Sequence, residues 1–492
     1  MAWDASRFLF RISVEIGIGL LSICCFFACV RIETDYSMSN MNENRAILYI
    51  PRSLDSVLSL FLENTTLNKN VLLVEGARQV GKSSLVEHAL SKSCRKSYKL
   101  NLERDSRFCS MVDGCREFSE FEQLLRDRIG FAGDAGEVLF IDEAQESRKL
   151  GAFVRFMKED WAQASVILSG STLARLFRED TRYPVGRVSQ VLVGPFSFSE
   201  FLVALSENDL AEVIRAERSD ISFQRHERLL ELYDVFLKTG GLPAAVLTAA
   251  KKNDPTEILG QILSDYERDF IRIFRETDAS LVKSCLRSVA NFVGGPSKNT
   301  SVWPNPTSRM NARISEVFAR LEDWHLILRS DQKGLGTEAS HAYLPKRYLF
   351  DTGLLRHLRE SAVPGIHLLD TVDSLVRKSL GGIVENQLAV DLARDGLDLN
   401  GWKKTPSGGE IDFIVKIGMQ TIPVECKAAL KIDRRHWQGV LEYIAQYGQK
   451  FGVVVSLAPL FETQLATGAK ILNLPVYLLE QFRRRIPTIE VL

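Results

Sequence analysis

One stretch, from Asn70 to Leu90, constrains this chain more than any other, because an apolar run opens directly into a glycine-containing loop. The loop reads GARQVGKS from Gly76 to Ser83, which is the pattern G-x-x-x-x-G-K-[ST]. Its two glycines let backbone N–H groups turn inward around an anion without a Cβ atom in the way. The preceding run, Val71 to Val74, is typical of a buried parallel strand, and the residues that follow have helical spacing. The sequence therefore predicts a phosphate-binding loop between a strand and a helix.

The residue types within this loop indicate how a nucleotide is held. Lys82 is placed to reach the β- and γ-phosphates, Ser83 offers a hydroxyl to Mg²⁺, and the following helix points its positive end at the same anion. We therefore expect ATP and Mg²⁺ as cofactors. The expected nucleotide contacts are Gly76, Ala77, Arg78, Gln79, Val80, Gly81, Lys82, Ser83 and Ser84.

A second element supplies the carboxylates that ATP hydrolysis needs. The apolar run from Val138 to Ile141 ends in Asp142 and Glu143. In this arrangement the first carboxylate supports the metal and the second accepts a proton from the attacking water. Asp142 is thus a predicted metal ligand and Glu143 the predicted catalytic base.

Two further groups are candidates for sensing or stabilising the γ-phosphate. The strand predicted over Val166 to Leu168 is followed by SGST, in which Ser171 is preferred over Ser169 as the group that senses the phosphate. Arg187 lies in a short loop before another apolar run and can reach the nucleotide of a neighbouring subunit, adding positive charge in the transition state. Arg182 competes with it for this role.

Composition sets the limits on the rest of the chain. Its 492 residues should form several cores, and its 62 basic and 62 acidic residues give no electrostatic footprint for nucleic acid, although a local basic face remains compatible with them. The eight cysteines show no C-x-x-C pair or metal-ligand spacing, which is typical of a reducing cytosol. We expect a cytoplasmic protein.

The first 45 residues form a separate apolar segment. The run from Ile16 to Val30 is uncharged but short for a membrane span, and it lacks the small-residue cleavage site of a signal peptide. One interpretation is a membrane anchor. The other is that translation starts at Met38 or Met41, in which case a chain beginning at Met41 should be soluble and active as an ATPase.

Alternating strand and helix patterns predict the next three regions. Residues 46–202 read as an α/β core with a parallel sheet, including a strand over Tyr98–Leu102 and helices over Phe118–Ile129 and Gly151–Trp161. Residues 203–277 have helical spacing and are expected to form a helical lid.

Residues 278–360 read as a winged-helix module, with two helices followed by strand pieces. The second helix carries Arg313 and Arg320, with Arg309 just ahead of it, and such a helix can enter a DNA major groove. Winged helices also dock proteins, so a DNA partner and a protein partner both stay open.

The segments GARQVGKSS, LFIDEAQ, LSGST, GRV followed by GPFSFSEF, and TGGLP resemble the AAA-type P-loop ATPases of bacteria and archaea that carry a C-terminal domain of unknown function. The resemblance runs from about Ala46 to the C-terminus. It implies a nucleotide-binding core followed by a C-terminal domain that is similar in fold to restriction endonucleases.

Residues 361–492 hold a second group of chemically active side chains. Asp412 begins a strand, and Glu425 and Lys427 lie two apart on the next, so they share one strand face. Two carboxylates of this kind are predicted to hold Mg²⁺ while Lys427 stabilises developing charge and Glu385, on the preceding helix, acts through water or a second metal. The pattern is similar to that of restriction-endonuclease-like nucleases.

These observations predict an Mg²⁺-dependent ATPase whose nucleotide state controls a winged-helix and nuclease-like region acting on nucleic acid. The alternative is a non-cleaving ATP-dependent switch that docks a protein or DNA partner. A homo-oligomer is compatible with both interpretations.

Overall fold

The computed structural model describes residues 49–64, 69–161, 163–177, 184–216, 220–274, 276–333, 343–359, 363–369, 371–404 and 409–486. The apolar run from Ile16 to Val30, the two candidate start methionines and Arg182 lie outside these residues. Across the described ranges, no helix is both long and apolar enough to cross a bilayer.

A five-stranded parallel sheet organises the first half of the described chain. Its strands are β1 (Val71–Glu75), β2 (Lys96–Asn101), β3 (Glu137–Asp142), β4 (Ser165–Gly170) and β5 (Val188–Leu192), in the order β2-β3-β4-β1-β5. β1, β3 and β4 are buried along their whole length, as expected for central strands covered on both faces. All five strands run the same way, so the residues that follow β1, β3 and β4 meet at one edge.

Helices cover this sheet and then continue as a separate helical segment. The covering helices are α1 (Asp55–Glu63), α2 (Lys82–Lys92), α3 (Ser106–Gly114), α4 (Phe118–Ile129) and α5 (Leu150–Asp160). The helical segment comprises α6 (Phe198–Ala204), α7 (Asn208–Arg215), α8 (Phe223–Thr239), α9 (Pro243–Ala250) and α10 (Thr256–Ile273). Ser197 and Glu200 form a capping box at the start of α6, which fixes where this segment begins.

Two helices and a hairpin come next. Helices α11 (Glu276–Asn291) and α12 (Ser308–Asp323) precede strands β6 (Ile327–Lys333) and β7 (Lys346–Leu349), which pair in antiparallel fashion. β6 also pairs in parallel with a later strand, β8 (Asn400–Lys403), and β8 pairs with β9 (Glu410–Ile411). The hairpin therefore belongs to a four-stranded sheet that crosses the predicted boundary at residue 360.

The last third contains a mixed sheet between helices. Helices α13 (Thr352–Leu358) and α14 (Ser374–Arg394) come first. The remaining elements are β10 (Phe413–Ile417), β11 (Gln420–Lys427), α15 (Gln438–Tyr447), β12 (Phe451–Ser456), β13 (Phe461–Gln464), β14 (Lys470–Pro475), a 3₁₀ helix (Val476–Gln481) and α16 (Phe482–Arg485). The strand order is β10-β11-β12-β14-β13, with β11, β12 and β14 parallel to one another.

The C-terminal 3₁₀ helix packs against the helical segment that follows the parallel sheet. Glu480 accepts hydrogen bonds from the Ser199 backbone N–H (2.8 Å) and hydroxyl (2.7 Å). The Tyr477 hydroxyl lies 2.8 Å from His226 Nδ1, and Gln481 Nε2 donates to the Ile214 carbonyl at 2.7 Å. One apolar core accordingly runs from α1 to the C-terminal sheet.

Candidate nucleotide site and a buried carboxylate cluster

The loop after β1 has the backbone that its glycines predict. Gly76 has φ +151° and Gly81 has φ +90°, and a Cβ atom on Gly76 would lie 2.1 Å from the Val193 carbonyl oxygen. Only glycine fits that contact without a backbone shift. The Lys82 side chain, directly after Gly81, folds back over the loop, and its ammonium donates to the carbonyl oxygens of Gly76 (2.9 Å) and Ala77 (2.8 Å).

Lys82 is buried beside two carboxylates. Burial lowers its pKa to about 8, although Glu143 and Asp142 act in the opposite direction. A phosphate group is a stronger partner for the ammonium than two neutral carbonyls, because the hydrogen bond is charge-assisted. The position fits the predicted role of Lys82 as a phosphate ligand.

Asp142 is the centre of a hydrogen-bond network at the sheet edge. Its Oδ2 accepts from the Ser83 hydroxyl at 2.8 Å and from Asn101 Nδ2 at 2.9 Å. Its Oδ1 accepts from the Ser169 hydroxyl and from the Glu143 backbone N–H. A serine hydroxyl next to a carboxylate is the hard-oxygen set that Mg²⁺ prefers, so Ser83 and Asp142 fit this metal.

Glu143 follows Asp142 in a left-handed conformation, with φ 51°. Non-glycine residues adopt this region infrequently. Burial raises the pKa of Glu143, while a hydrogen bond from Gln145 and the charge of Lys82 oppose the rise. A carboxylate with a raised pKa is better matched to taking a proton near neutral pH.

Helix α10 closes the site from the other side. A cavity of about 450 Å³ lies between the loop, with Lys82, Ser83 and Ser84, and the acidic face of α10. Arg78 donates to Asp269 at 2.8 Å, and Gln79 donates to Asp265 at 3.0 Å. The Tyr266 hydroxyl adds a 2.6 Å hydrogen bond to the Arg78 carbonyl.

Ser171 lies in a neighbouring cavity of about 400 Å³ rather than on Asp142. This second cavity also contacts Arg272 of α10 and Trp324, which follows α12. Of the two serines weighed from the sequence, Ser169 is the one that touches the Asp142 carboxylate. Asn101 joins the same network; its position at the end of a predicted strand is the signal by which it is recognisable in the sequence.

Arg187 lies at the opposite end of the sheet from the loop. Its carbonyl accepts from the Val71 N–H at the start of β1, and the five residues of β1 separate that point from Gly76 by roughly 16 Å. Its Nε is 2.9 Å from Glu159 Oε1. Within one chain Arg187 therefore does not reach the nucleotide site.

The C-terminal carboxylates form a second, buried cluster around a lysine from β7. The Lys346 ammonium lies 2.9 Å from Glu385, 2.7 Å from Glu410 and 2.9 Å from Asp412, and its side chain is 2% exposed. Tyr348, two residues on, donates to the same Glu385 oxygen at 2.7 Å.

The other predicted members lie beside this group. Asp412 also accepts from the Cys426 backbone N–H at 3.0 Å, and Lys427 is ion-paired with Glu425. The second oxygen of Glu425, Oε2, is buried and has no hydrogen-bond partner. The structure thus places Glu385, Asp412, Glu425 and Lys427 in one region.

Burial disfavours the ionised form of two carboxyl groups in this cluster. It raises the pKa of Glu385 to about 7 and that of Glu425 to about 8, and the negative charge of Asp412 adds to both shifts. For Asp412 itself, Lys346 and Lys427 outweigh burial and hold its pKa below the usual range.

Sequence reasoning missed Lys346 and Glu410. The strand periodicity of two puts Lys346 on the same face of β7 as the aromatic Tyr348, which is the sequence signal for a lysine that faces the core. Across the described residues, no group of three or more His, Cys, Asp or Glu side chains is arranged to hold a metal ion. The carboxylates in this conformation surround an ammonium, and they do not fit a divalent cation.

Comparisons with protein families match two separate parts of the chain. Residues 68–202 match the AAA domain family, and residues 230–363 match a domain of unknown function, DUF8612. The first match, with the loop and the β3 carboxylate, identifies a P-loop nucleotide-binding domain and an ATPase. No curated protein matched the chain.

Several solved structures resemble the chain. A Walker-type ATPase from Pyrococcus abyssi, PABY2304, is 17% identical with a TM-score of 0.40, covering 63% of this chain and 96% of its own. The RuvB Holliday junction branch migration motor of Thermotoga maritima is 13% identical with a TM-score of 0.28, covering 57% and 93%. Cdc6p from Pyrobaculum aerophilum is 12% identical with a TM-score of 0.25, covering 58% and 90%.

Proposed function

We propose that this protein is an Mg²⁺-dependent ATP hydrolase in which helix α10 acts as a lid and carries the nucleotide state to the C-terminal half. The observation that carries the proposal is the pair of hydrogen bonds that connects α10 to the loop. Arg78 donates to Asp269, and Gln79 donates to Asp265. The two lid carboxylates lie where an anionic ligand would approach.

The charges around the loop give the lid its sensitivity to nucleotide. ATP brings several negative charges into a cavity already lined by Glu103, Glu143, Asp265 and Asp269. Like charges a few ångströms apart repel, so binding of the phosphates weakens the hold of α10 on the loop. Arg78 exchanges the Asp269 carboxylate for a phosphate.

Within the hydrolase each residue has a distinct task. Lys82 binds the β- and γ-phosphates, Ser83 and Asp142 hold Mg²⁺, and Glu143 takes the proton from water. Mg²⁺, when bound, neutralises charge that develops on the phosphate oxygens. Ser171 responds to the γ-phosphate from the neighbouring cavity once α10 moves.

A short set of contacts leads from the site to the hairpin. Phe270 of α10 stacks on Trp324 with ring centroids 5.6 Å apart. His325 follows Trp324 in the chain, and its Nε2 lies 3.3 Å from Oε1 of Glu75, the last residue of β1. Both contacts end at the corner between α12 and β6, so a shift of α10 bears directly on the β6–β7 hairpin.

The lid is tested by neutralising its carboxylates. The double variant Asp265→Asn, Asp269→Asn should bind ATP several-fold more tightly, because less repulsion opposes the phosphates. Isothermal titration calorimetry with a non-hydrolysable ATP analogue measures this. Glu257→Gln, an exposed charge removed at the other end of α10, is the matched control and should leave the affinity unchanged. Equal affinity in wild type and double variant would rule out the lid mechanism.

A second candidate function is nucleic-acid cleavage under ATP control. It is favoured by the convergence of Glu385, Asp412, Glu425 and Lys427, and by the buried Glu425 oxygen that lacks a partner. The Lys346 ammonium opposes it, because the carboxylates that surround this group do not fit a divalent cation in this conformation. A nicking assay on plasmid and single-stranded DNA, with and without ATP and divalent cations, tests it. Asp412→Ala should abolish nicking and leave ATP hydrolysis intact; absence of nicking in wild type under every condition would leave the non-cleaving switch.

Helix α12 is the proposed contact with DNA. Arg309 at its start is exposed, whereas Arg313 is ion-paired with Asp278 and Arg320 with Glu316. Arg309→Ala should weaken DNA binding and lower its salt dependence by about one counterion. Titrations at several salt concentrations measure both quantities.

A further inference from the structure

The loop between β11 and α15 concentrates positive charge in a chain that has no net charge. Residues 427–436 contain four Lys and Arg residues and a single Asp, whereas the whole chain has 62 basic and 62 acidic residues. The loop starts at the carboxyl end of β11, beside the end of the parallel strand β12. Open α/β sheets present their ligand sites at this end of their strands.

A cavity of about 310 Å³ lies at this loop and is lined by positive groups from two elements. Lys427 and Lys431 belong to the loop, and Arg377 belongs to the first turn of α14. His436 also lines the cavity, and its described lining residues include no Asp or Glu. A concave surface lined by charges of one sign attracts ligands of the opposite sign, so this cavity favours an anion.

Two of these positive groups have no carboxylate partner. Lys431 and Arg377 are exposed, and neither forms an ion pair within the described parts of the chain. Arg377 Nη2 donates to the neutral carbonyl of Val372 at 3.2 Å. A hydrogen bond to a phosphate oxygen is charge-assisted and therefore stronger than a bond to a neutral carbonyl, so both side chains gain a better partner when an anion binds.

The acidic residues closest to the cavity in the chain are already paired. Glu425 is ion-paired with Lys427, and Asp433 lies 2.6 Å from a guanidinium nitrogen of Arg435. Neither carboxylate therefore neutralises Arg377 or Lys431.

We propose that this cavity binds a phosphate of a nucleic-acid backbone, held by Arg377 and Lys431 with Lys427 beside them. Positive charge continues along the loop at Arg434, which is exposed and has no ion pair among the described residues. A polymer with successive phosphates matches this surface better than a lone phosphate does. The inference rests on the nucleic-acid partner of the proposed function, and it requires neither cleavage nor a metal ion.

The first test removes two positive charges from the full chain. The double variant Arg377→Gln, Lys431→Gln changes only exposed side chains, so ATP hydrolysis should be kept. It should bind a fluorescein-labelled oligonucleotide about tenfold more weakly than wild type, and its salt dependence should fall by about two counterions, because two phosphate contacts are lost. Fluorescence anisotropy at several salt concentrations measures both quantities, and single-stranded and duplex oligonucleotides distinguish the source of the phosphate.

The matched control is Lys416→Gln, which removes an exposed lysine of β10. Lys416 pairs with Thr421 near the start of β11, so the rest of that strand separates it from Lys427 by roughly 20 Å. This variant should bind both oligonucleotides with the wild-type affinity.

The outcomes separate the cavity from the proposed function. Equal affinity in wild type and the double variant would overturn the cavity, and weaker binding by Arg309→Ala in the same experiment would keep DNA as the partner of α12. Failure of wild type to bind either oligonucleotide would overturn both proposals and leave the protein-docking switch. Displacement of the oligonucleotide by inorganic phosphate at an equal concentration of phosphate groups would identify a site for free phosphate instead.

A second measurement uses wild-type protein and needs no substitution. Acetylation followed by peptide mass spectrometry should find Lys431 modified in the free protein and protected at saturating oligonucleotide, with Lys416 as the internal standard. Modification of Lys431 that is unchanged by the oligonucleotide would contradict the proposal.

Discussion

Asp142 and Lys346 show two ways in which a single charged residue organises buried polar groups. Asp142 ends a strand and accepts four hydrogen bonds, from Ser83, Asn101, Ser169 and the Glu143 N–H. Lys346 is instead a positive charge that is ion-paired with three carboxylates. Each arrangement satisfies groups that would be costly to bury alone.

At the residue scale, substitutions of Lys82 and Glu143 should impair different steps, ATP binding and ATP hydrolysis respectively. Lys82→Ala removes a phosphate ligand and should abolish tight ATP binding. Glu143→Gln keeps the shape but not the base, so it should bind ATP normally while turnover falls by about 10² to 10⁴. Calorimetry and phosphate release separate the two effects. Hydrolysis by Glu143→Gln at the wild-type rate would show that another group is the base.

Asp351 should make stability depend on pH. It accepts from the Gly241 N–H (2.7 Å) and the Leu354 N–H (2.9 Å), yet burial raises its pKa to about 6. The unfolded value is about 3.9, so the folded state holds the proton more tightly and this contribution falls as pH rises from 4 to 6. The stability of wild type relative to Asp351→Asn should drop by about 2 to 3 kcal/mol over that window.

Urea unfolding at several pH values measures this difference. Asp209→Asn, at an exposed position on α7, is the control and should show the same pH dependence as wild type. A stability difference between wild type and Asp351→Asn that stays constant from pH 4 to pH 7 would contradict the buried, protonated carboxyl.

At the element scale, sequence periodicity predicts where helices lie but not which strands pair with each other. The helix predicted over Phe118–Ile129 has those bounds in the structure, and the one predicted over Gly151–Trp161 begins and ends one residue earlier, at Leu150–Asp160. Both are amphipathic, so local spacing is sufficient. The sequence predicts a separate module over residues 278–360, whereas strand β6 of that region pairs with β8, some seventy residues later.

The C-terminal 3₁₀ helix should stabilise the distant end of α7. Gln481 is fully buried and donates to the carbonyls of Ile214 (2.7 Å) and Ala216 (2.6 Å). Gln481→Ala leaves these carbonyls without a partner, which costs about 1 to 3 kcal/mol for each buried group. Differential scanning calorimetry should show a lower melting temperature, and exposed Glu462→Ala should not. An unchanged melting temperature in Gln481→Ala would mean that water replaces the amide.

At the scale of the whole molecule, the ATPase half and the C-terminal half share one apolar core. The core includes residues of the helices around β1, the helical segment, and strands β10 to β12. The Ser199–Glu480 and His226–Tyr477 hydrogen bonds lie on the same boundary. A displacement of α10 therefore acts on a continuous, closely packed core, and such a core transmits small shifts to neighbouring elements.

Arg187 provides a test of assembly. It lies at the sheet end away from its own loop, so the predicted role of Arg187 in hydrolysis requires the nucleotide of a second copy. Arg187→Ala should lower turnover by about 10³-fold or more with ATP affinity unchanged. Mixing it with inactive Lys82→Ala should restore activity, because one subunit supplies the arginine and the other the nucleotide site. No recovery on mixing, with a monomer in light scattering at saturating ATP, would exclude this role.

The sequence alone predicted the nucleotide site, because each of its parts is a short continuous segment: the loop from Gly76 to Ser83 and the end of β3 at Asp142. Parallel strands bring the ends of such segments together. Tertiary structure decided the rest. The pairing of Arg78 with Asp269 joins residues 191 apart, and that of Lys346 with Asp412 joins residues 66 apart. Local periodicity has no information on such contacts; only the packing of α10 and β7 places a carboxylate on the phosphate loop and an ammonium among the carboxylates.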